Sequence, residues 1–404
     1  MEFYTYTLPN GIRGIHRQVR STVAHCALVI GAGSRDEHPG QYGLAHLTEH
    51  AFFKGTERRR AWQVNCRLEN LGGELNAFTT KEETTIHATT LRGDFAKAVE
   101  LIADIAFRST FPEREIEREK EVIADEINTY KDSPAEMLYD TFEDMLFEGS
   151  ELGHNILGRK AALMRYDGAA IRAFTARTHT TDRMVFSSIG NFSPKTAEAT
   201  ALRYFGEQAA TTRGFERAAP PAVKPFEKTV TKHTHQTHCI IGNRACGIEE
   251  TKRLPLALLV NVLGGPSANS LLNVEVREKH GLSYNIEANY IPYGDSGLVA
   301  IYFSSEHANE AQCAELVERQ LQRLRTTPLT GRQLSMAKKQ FIAQLAISGE
   351  SNENYMLSAG KSLLTHDEID TMEEVYAKIG ALTAAQLTEA AEEVFTKMSR
   401  LTYK

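Results

Sequence analysis

A proline-rich break near the middle of the chain restricts its possible folds more than any other feature. Residues 211–225 read TTRGFERAAPPAVKP, and three prolines among small residues exclude a continuous helix or a central strand there. We interpret this stretch as a linker between a first domain, residues 1–210, and a second domain, residues 226–404. The length of 404 residues agrees, because it exceeds what one compact core usually holds. No repeated residue pattern relates the two halves.

The composition is that of an ordinary folded chain, with 42% hydrophobic and 24% charged residues. The formal net charge of −6 weighs against a nucleic-acid-binding protein, and we expect no such partner. The five cysteines are widely separated and form no C-x-x-C pair. They therefore indicate thiols in a reducing compartment, and neither a disulfide framework nor a thiolate metal site.

The N-terminus has no basic segment followed by an apolar stretch, so it does not resemble a secretory signal. No apolar run approaches the roughly 18 residues that a membrane-spanning helix requires. We therefore expect a cytoplasmic protein without a membrane partner.

Helical and strand patterns alternate in both halves, which indicates an α+β or α/β protein. We predict the α+β class: two similar domains of mixed sheet packed against helices and joined by the linker. The predicted strands are residues 26–30, a pair within 76–90, and 283–290. The predicted helices are residues 42–53, 91–107, 113–130, 254–263 and 271–279.

The stretch with the clearest chemistry is residues 46–50, which read HLTEH. On a helix, His46 and His50 project from one face, where two imidazoles can bind a tetrahedral metal at about 2.0–2.1 Å. Glu49 is then close enough to hold a metal-bound water without being a ligand. Such a pentapeptide also arises by chance in about one chain in twenty to thirty. The alternative interpretation is a solvated helix face with two incidental histidines.

The motif is the inverse of the H-E-x-x-H zinc peptidase signature. In its context the chain resembles the pitrilysin/insulinase-type zinc peptidases, specifically the mitochondrial-processing-peptidase branch. The similar segments occur in the family's order over most of the chain: GLAHLTEHAFFKGT at 43–56, GGELNAFT at 72–79, EKEVIADEI at 119–127 and REKHGLSY at 277–284.

The resemblance implies one Zn²⁺ per chain, held by His46, His50 and Glu126, with Glu49 as the general base. It places Glu119 behind a ligand, where its carboxylate orients a histidine ring. The residues alone do not single out Glu126, because the predicted helix at 113–130 carries many acids that suit a solvated surface.

The resemblance also implies a substrate-side edge strand formed by Asn76, Ala77, Phe78 and Thr79, to which a peptide adds as a further strand. Asn76 would bind the peptide near the scissile carbonyl. The alternative for Asn76 is a turn residue after the two preceding glycines.

In the second domain, Arg277 and Tyr284 correspond to an arginine and a tyrosine that complete the family's active site. The resemblance implies that Arg277 fixes a peptide carbonyl and that the Tyr284 hydroxyl donates to the oxyanion. Taken alone, Arg277 is equally suited to be a cation at a helix end.

Three features depart from these patterns or compete with them. Leu271 stands where a basic residue is expected, and residues 80–84, TKEET, are more charged than a usual strand. Both bear on substrate preference and not on the metal set. Residues 233–239, HTHQTHC, crowd three histidines and a cysteine, but we interpret them as a strand that opens the second domain.

The function implied is a zinc-dependent endopeptidase acting on short or unfolded peptides in an enclosed chamber. Because the family builds its chamber from four such domains, a two-domain chain needs a partner, either a second copy or a homologous chain. The alternative is a non-catalytic structural or regulatory subunit of a heterodimeric peptidase. Such subunits typically lack the metal motif or the arginine–tyrosine pair, and this chain has both.

Overall fold

The computed structural model describes residues 2–404 and confirms the α+β class. The strands are β1 Tyr4–Thr7, β2 Arg13–Gln18, β3 Val23–Ile30, β4 Glu74–Thr79, β5 Thr84–Leu91, β6 Met184–Gly190, β7 Glu227–Val230, β8 Thr237–Ala245, β9 Ser283–Pro292, β10 Gly297–Ser305 and β11 Ser399–Tyr403.

The helices come in two groups along the chain. Before the proline-rich break they are α1 Leu44–Phe52, α2 Ala61–Glu69, α3 Phe95–Arg108, α4 Glu113–Lys131, α5 Pro134–Leu146, α6 Lys160–Leu163, α7 Gly168–Thr178 and α8 Pro194–Phe205. After it they are α9 Arg253–Gly264, α10 Glu310–Thr326, α11 Gly331–Gly349, α12 Asn352–His366, α13 Met372–Ala381 and α14 Ala384–Val394.

The chain folds into two compact units that are each discontinuous in sequence. The first unit comprises the chain up to Thr129, His154–Ala218 and Ser348–Ile369. The second comprises Tyr130–Gly153, Ala219–Ile347 and Asp370–Lys404. The chain therefore passes from the first unit to the second within residues 211–225, which hold no helix or strand in the described chain. The predicted division into residues 1–210 and 226–404 differs from this arrangement in two segments. Residues 130–153 belong to the second unit, and residues 348–369 belong to the first.

The sheet of the first unit has the strand order β1-β2-β6-β3-β5-β4, with β2 and β6 parallel and the other neighbours antiparallel. Every residue of β6 is buried, as expected for a strand covered on both faces. Helix α3 packs on one face of the sheet and α12 on the other. Strand β4 lies at the edge.

The sheet of the second unit has the order β7-β11-β8-β10-β9, with one parallel pair, β7 with β11. Alternate residues of β8 and β10 face two separate apolar clusters, so this sheet is also covered on both sides. Helix α5 covers one face, and α9, α10 and α14 cover the other. Each unit is therefore a mixed sheet between helices, which agrees with the predicted architecture.

Two sequence-based assignments in the second unit need correction. The predicted helix at 271–279 is largely a wider π-helical segment, Asn273–Glu278, in which the Lys279 N–H donates to the Val274 carbonyl at 3.0 Å. The strand predicted within 233–239 begins only at Thr237. His233 precedes it with a φ of +53°, a left-handed conformation that a strand cannot contain.

Among residues 2–404, no helix is both long enough and apolar enough to cross a lipid bilayer.

Candidate metal centre

Helix α1 is positioned by burial of one face and by close backbone packing at its first residue. Leu44 and Leu47 are fully buried in the core of the first unit, so the opposite face is directed away from that core. The helix follows Gly43, whose φ of +94° is in the left-handed region. A Cβ there would lie 2.7 Å from the Leu157 carbonyl oxygen, so this close approach requires glycine. The rings of His46 and His50 then lie one turn apart in an edge-to-face arrangement, with centroids 4.6 Å from each other.

Helix α4 brings Glu126 to these two rings. Its Oε2 lies 3.8 Å from His46 Nε2 and 3.7 Å from His50 Nε2. Donors bound to one tetrahedral zinc at about 2.0–2.1 Å are about 3.3–3.5 Å apart, so a small inward movement gives the coordination geometry. Two imidazoles and one carboxylate also form a ligand set typical of catalytic zinc. The three residues therefore fit this metal, and they are the single group of its kind among residues 2–404.

The protonation state of His46 suits a ligand. Burial, together with the nearby His50, lowers the pKa of His46 to about 3. The imidazole is therefore neutral at physiological pH and its nitrogen lone pair is available to a metal.

Glu119 lies behind His50, two helical turns before Glu126. Its Oε1 is 3.5 Å from His50 Nδ1, the nitrogen turned away from Glu126, and its other oxygen forms an ion pair with Lys54. Burial acts to raise the pKa of Glu119, but hydrogen bonds from His50 and Lys54 outweigh it and lower the pKa. An ionised carboxylate at this nitrogen selects the tautomer that leaves Nε2 free for a metal.

Glu49 occupies the same helix turn as His50 and is half-buried. Burial raises the pKa of its carboxyl, whereas hydrogen bonding by the side chain and backbone of Thr79 acts to lower it. The two effects leave a carboxyl group that holds a proton more readily than an exposed glutamate does. The interaction with Thr79 also links α1 to the end of strand β4.

The residues predicted to bind substrate lie in β4 itself. Asn76 pairs with His87 of β5 and is exposed, so it belongs to the strand and not to the preceding turn. Ala77 faces the core, while Phe78 makes an edge-on contact with the His87 ring at 6.0 Å between centroids. The described chain places no strand along the outer edge of β4, which leaves its backbone groups available for pairing.

Arg277 and Tyr284 belong to the second unit and lie next to each other. The guanidinium carbon of Arg277 is 5.4 Å from the centre of the Tyr284 ring, a cation–π distance. Tyr284 is 83% exposed at the beginning of β9. The pair is thus accessible, and its role towards a substrate stays a prediction.

Sequence reasoning missed two contributors to the geometry around α1. Lys54 follows His50 by four residues, so this spacing places it close to His50. The acid predicted behind His50, Glu119, is therefore within reach of Lys54 and pairs with it. Glu37 contacts the beginning of α1 from a preceding turn, and no local pattern in the sequence signals that contact. The charged stretch at 80–84 proves to be the β4–β5 turn and the first residue of β5, where Lys81 and Glu83 are buried.

Comparisons with known proteins identify the family of this chain. Residues 15–160 match the family model described as insulinase, peptidase family M16, and residues 167–341 match the M16 inactive domain. The chain is 32% identical to an uncharacterized zinc protease of Bacillus subtilis (strain 168), covering 97% of this chain and 95% of the relative. It is 28% identical to an uncharacterized zinc protease of Mycobacterium leprae (strain TN), with 97% and 89% covered.

Solved structures share the fold over the whole chain. A protease from Helicobacter pylori superimposes with a TM-score of 0.91 at 20% identity, covering 100% of this chain and 99% of the other. A protein from Pseudomonas fluorescens described as a peptidase M16 inactive domain gives a TM-score of 0.92 at 19% identity, with 100% and 98% covered. At these identities the likeness establishes the fold alone.

Proposed function

This chain belongs to the insulinase (M16) family of peptidases, and from that premise we propose that it is a zinc-dependent endopeptidase for short or unfolded peptides. The observation that carries the proposal is the convergence of His46, His50 and Glu126 beside Glu49. The names of the curated relatives as zinc proteases support Zn²⁺ as the metal at this donor set.

Zinc, when bound by these three residues, supplies Lewis-acid polarisation of the scissile carbonyl and lowers the pKa of a water molecule. Glu49 takes the proton from the attacking water and delivers it to the leaving amine, so one carboxyl serves as base and then as acid. Its raised pKa suits the second task, because a carboxylate that readily accepts a proton holds it until it passes to the amine nitrogen as the C–N bond breaks. Glu119 holds His50 in the required ring orientation throughout.

Peptide binding is proposed for the free edge of β4. An extended peptide adds to this edge through main-chain hydrogen bonds, which recognise an unfolded backbone and not a particular sequence. The interaction between Thr79 and Glu49 supports this assignment, because the strand ends beside the proposed base. Asn76 is placed in the same strand with its side chain exposed and able to bind the peptide.

Completion of the site by Arg277 and Tyr284 is also a proposal, as is enclosure of the substrate in a chamber formed by two chains. An arginine and a tyrosine that are accessible and adjacent support a role in holding a carbonyl and an oxyanion. A second copy of the chain, or a homologous chain, is the proposed partner. The competing function, a non-catalytic subunit, is disfavoured by the intact donor set in the first unit.

The decisive experiment combines zinc analysis with hydrolysis of a fluorogenic peptide, with and without a chelator. Glu49→Gln should retain one zinc per chain and lose about 10²- to 10⁴-fold in kcat, because the proton acceptor is removed while the ligands remain. Glu57→Gln, an exposed glutamate in the loop after α1, is the matched control and should behave as wild type. Zinc-loaded wild-type protein without peptidase activity would support the non-catalytic subunit instead.

The role of Tyr284 has its own test. Tyr284→Phe removes only the hydroxyl, so kcat should fall by about 10²- to 10³-fold, the usual effect of losing one oxyanion donor. Zinc content should not change, because the residue belongs to a different unit from the ligands. An unchanged kcat would remove Tyr284 from the mechanism and leave the zinc assignment intact.

A further inference from the structure

A buried carboxyl group from outside helix α1 occupies its N-terminus. Glu37 is 2% exposed, and its Oε1 accepts the Ala45 N–H at 2.7 Å. Its Oε2 accepts the Gly43 N–H at 3.1 Å. The first N–H groups of a helix have no partner within the helix and need an acceptor from elsewhere. Glu37 therefore satisfies the beginning of the helix that carries His46 and His50.

The helix has no capping side chain of its own. The residue before it, Gly43, offers no side-chain oxygen, and the close approach of Leu157 excludes a larger residue there. The usual Ser, Thr, Asp or Asn cap is thus replaced by an acid six residues earlier. Loss of Glu37 leaves buried N–H groups unsatisfied, with no local substitute.

Glu37 is itself fixed by a second buried residue. His154 Nε2 lies 2.8 Å from Glu37 Oε2, within hydrogen-bonding distance. Burial raises the pKa of Glu37 to about 8, although the backbone N–H groups at the start of α1 act to lower it. The His154 ring stacks on Tyr42 at 3.9 Å between centroids, and its backbone carbonyl accepts from the Lys81 ammonium. This chain of contacts runs from the start of α1 to the β4–β5 turn.

The turn that contains Glu37 is also bonded directly to the β4–β5 turn. The Ser34 N–H donates to the Thr80 carbonyl at 3.1 Å, and the Arg35 N–H donates to the Lys81 carbonyl at 2.7 Å. Thr80 directly follows Thr79, the residue that interacts with Glu49. The same few residues thus hold both the metal-binding helix and the end of the proposed substrate strand.

We propose that Glu37 is a positioning residue for the metal centre: its carboxyl group, held by His154, sets the first turn of α1 and so the placement of both histidines relative to strand β4. The effect of Glu37 on catalysis rests on the proposed function. The effect of Glu37 on the first turn of α1 concerns the metal-free protein and has a separate test.

The test replaces one carboxylate oxygen by an amide nitrogen. In Glu37→Gln the NH₂ group accepts no hydrogen bond, so the side chain no longer offers one accepting oxygen to the Ala45 N–H and another to the Gly43 N–H. In metal-free protein, hydrogen exchange at the Gly43 and Ala45 amides should accelerate by about tenfold or more. Zinc affinity, measured by competition with a chromophoric chelator, should fall by about 10- to 100-fold, the usual effect of losing a residue that orients metal ligands.

Glu83→Gln is the matched control, because Glu83 is a buried acid of the β4–β5 turn that pairs with Lys361 and not with α1. It should leave exchange at Gly43 and Ala45 unchanged. If Glu37→Gln does not fold, His154→Leu and His154→Gln provide a second comparison. Leucine removes the hydrogen-bonding partner of Glu37 and should accelerate exchange and weaken zinc binding, whereas glutamine can still form a hydrogen bond and should restore both.

Unchanged exchange and zinc affinity in Glu37→Gln, or equal behaviour of the two His154 variants, would overturn the inference. Failure of the proposed function has a different signature. In that case wild-type protein would not bind zinc or would not cleave peptide, while the exchange measurement on metal-free protein would still report on Glu37.

Discussion

At the scale of single residues, environment separates acids that look equivalent in the sequence. Glu119 and Glu126 lie two turns apart on α4, yet the side chain of Glu119 is 7% exposed and that of Glu126 is 45% exposed. Glu119 is enclosed by Lys54 and His50, so its charge is already compensated. Glu126 faces the two imidazoles, with the Glu49 carboxyl nearby, and this acidic surrounding makes it available to a cation.

The first prediction concerns this difference. Glu126→Gln should weaken zinc binding by more than about 100-fold, because it removes a directly coordinating oxygen and one negative charge. Asp125→Asn is the control, since this neighbouring acid is exposed and lies outside the donor group. Zinc titration of both variants against a competing chelator measures the effect. Equal affinities in the two variants would remove Glu126 from the ligand set.

A second prediction at this scale concerns acid stability and involves His179. Burial lowers the pKa of His179 to about 4, with Asp36 opposing the shift. In the unfolded chain a histidine titrates near 6.5, so between these values the unfolded state binds more protons than the folded state. Stability is therefore lost as pH falls from about 6.5 to 4, by up to about 3 kcal/mol.

Urea unfolding of metal-free protein at several pH values measures this loss. His179→Gln should reduce the dependence of the unfolding free energy on pH, because the buried titrating group is gone. His235→Gln is the control, since His235 is exposed in the loop before β8. An undiminished slope in His179→Gln would show that other groups govern acid unfolding.

At the scale of elements, α12 shows how a helix from late in the chain completes an early sheet. It packs on β3 and β6, and the Ser187 hydroxyl donates to the Met356 carbonyl at 2.7 Å. A Cβ on Gly360 would lie 2.9 Å from Val29 Cγ2 and 3.1 Å from Ser187 Cβ. The helix therefore approaches the sheet more closely than any larger residue at this position would allow.

Gly360→Ala should consequently destabilise the protein, by about 1–3 kcal/mol, through overpacking against the sheet. Gly380→Ala in α13 is the matched control, because a Cβ on Gly380 would have no other atom within 4 Å. Alanine there should stabilise by about 0.5–1 kcal/mol through helix propensity and reduced freedom of the unfolded chain. Thermal or urea unfolding compares the two, and similar effects of both substitutions would argue against the close packing of α12.

At the scale of the whole molecule, the chain is interleaved. The second unit takes Tyr130–Gly153, including α5, from between segments of the first, and the first unit takes Ser348–Ile369, including α12, from between segments of the second. Each sheet therefore has one face covered by a helix that the linear order assigns to the other half. Neither half of the sequence carries all the apolar surface needed to enclose its own sheet.

This interleaving predicts the behaviour of fragments. A fragment of residues 1–218 should expose the face of β3 and β6 that α12 normally covers, and should aggregate or unfold without a cooperative transition. Joining residues 348–369 to it through a flexible Gly/Ser linker should improve solubility and restore a cooperative transition. Calorimetry and dye binding compare the fragment with and without the added helix. A fragment 1–218 that unfolds cooperatively by itself would contradict this role of α12.

Much of the secondary structure was predictable because local patterns determine it. The helix predicted at 42–53 is α1, and the helix predicted at 113–130 is α4 within one residue. Strong periodicity and a preceding proline or glycine define such elements without reference to the rest of the chain. The π-helical segment at Asn273–Glu278 was not distinguishable, because its side-chain pattern over one and a half turns is nearly that of an α-helix.

The sequence by itself determined that His46, Glu49 and His50 share one short helix, because the spacing of residues within a helix follows from local backbone geometry. Only the tertiary structure decided which of the many acids on α4 meets the two imidazoles, and that Glu37 and His154 support the helix from outside it. The tertiary structure also decided that α5 belongs to the second unit and α12 to the first. Such contacts join residues far apart along the chain, and they depend on how whole elements pack rather than on the pattern within any one of them.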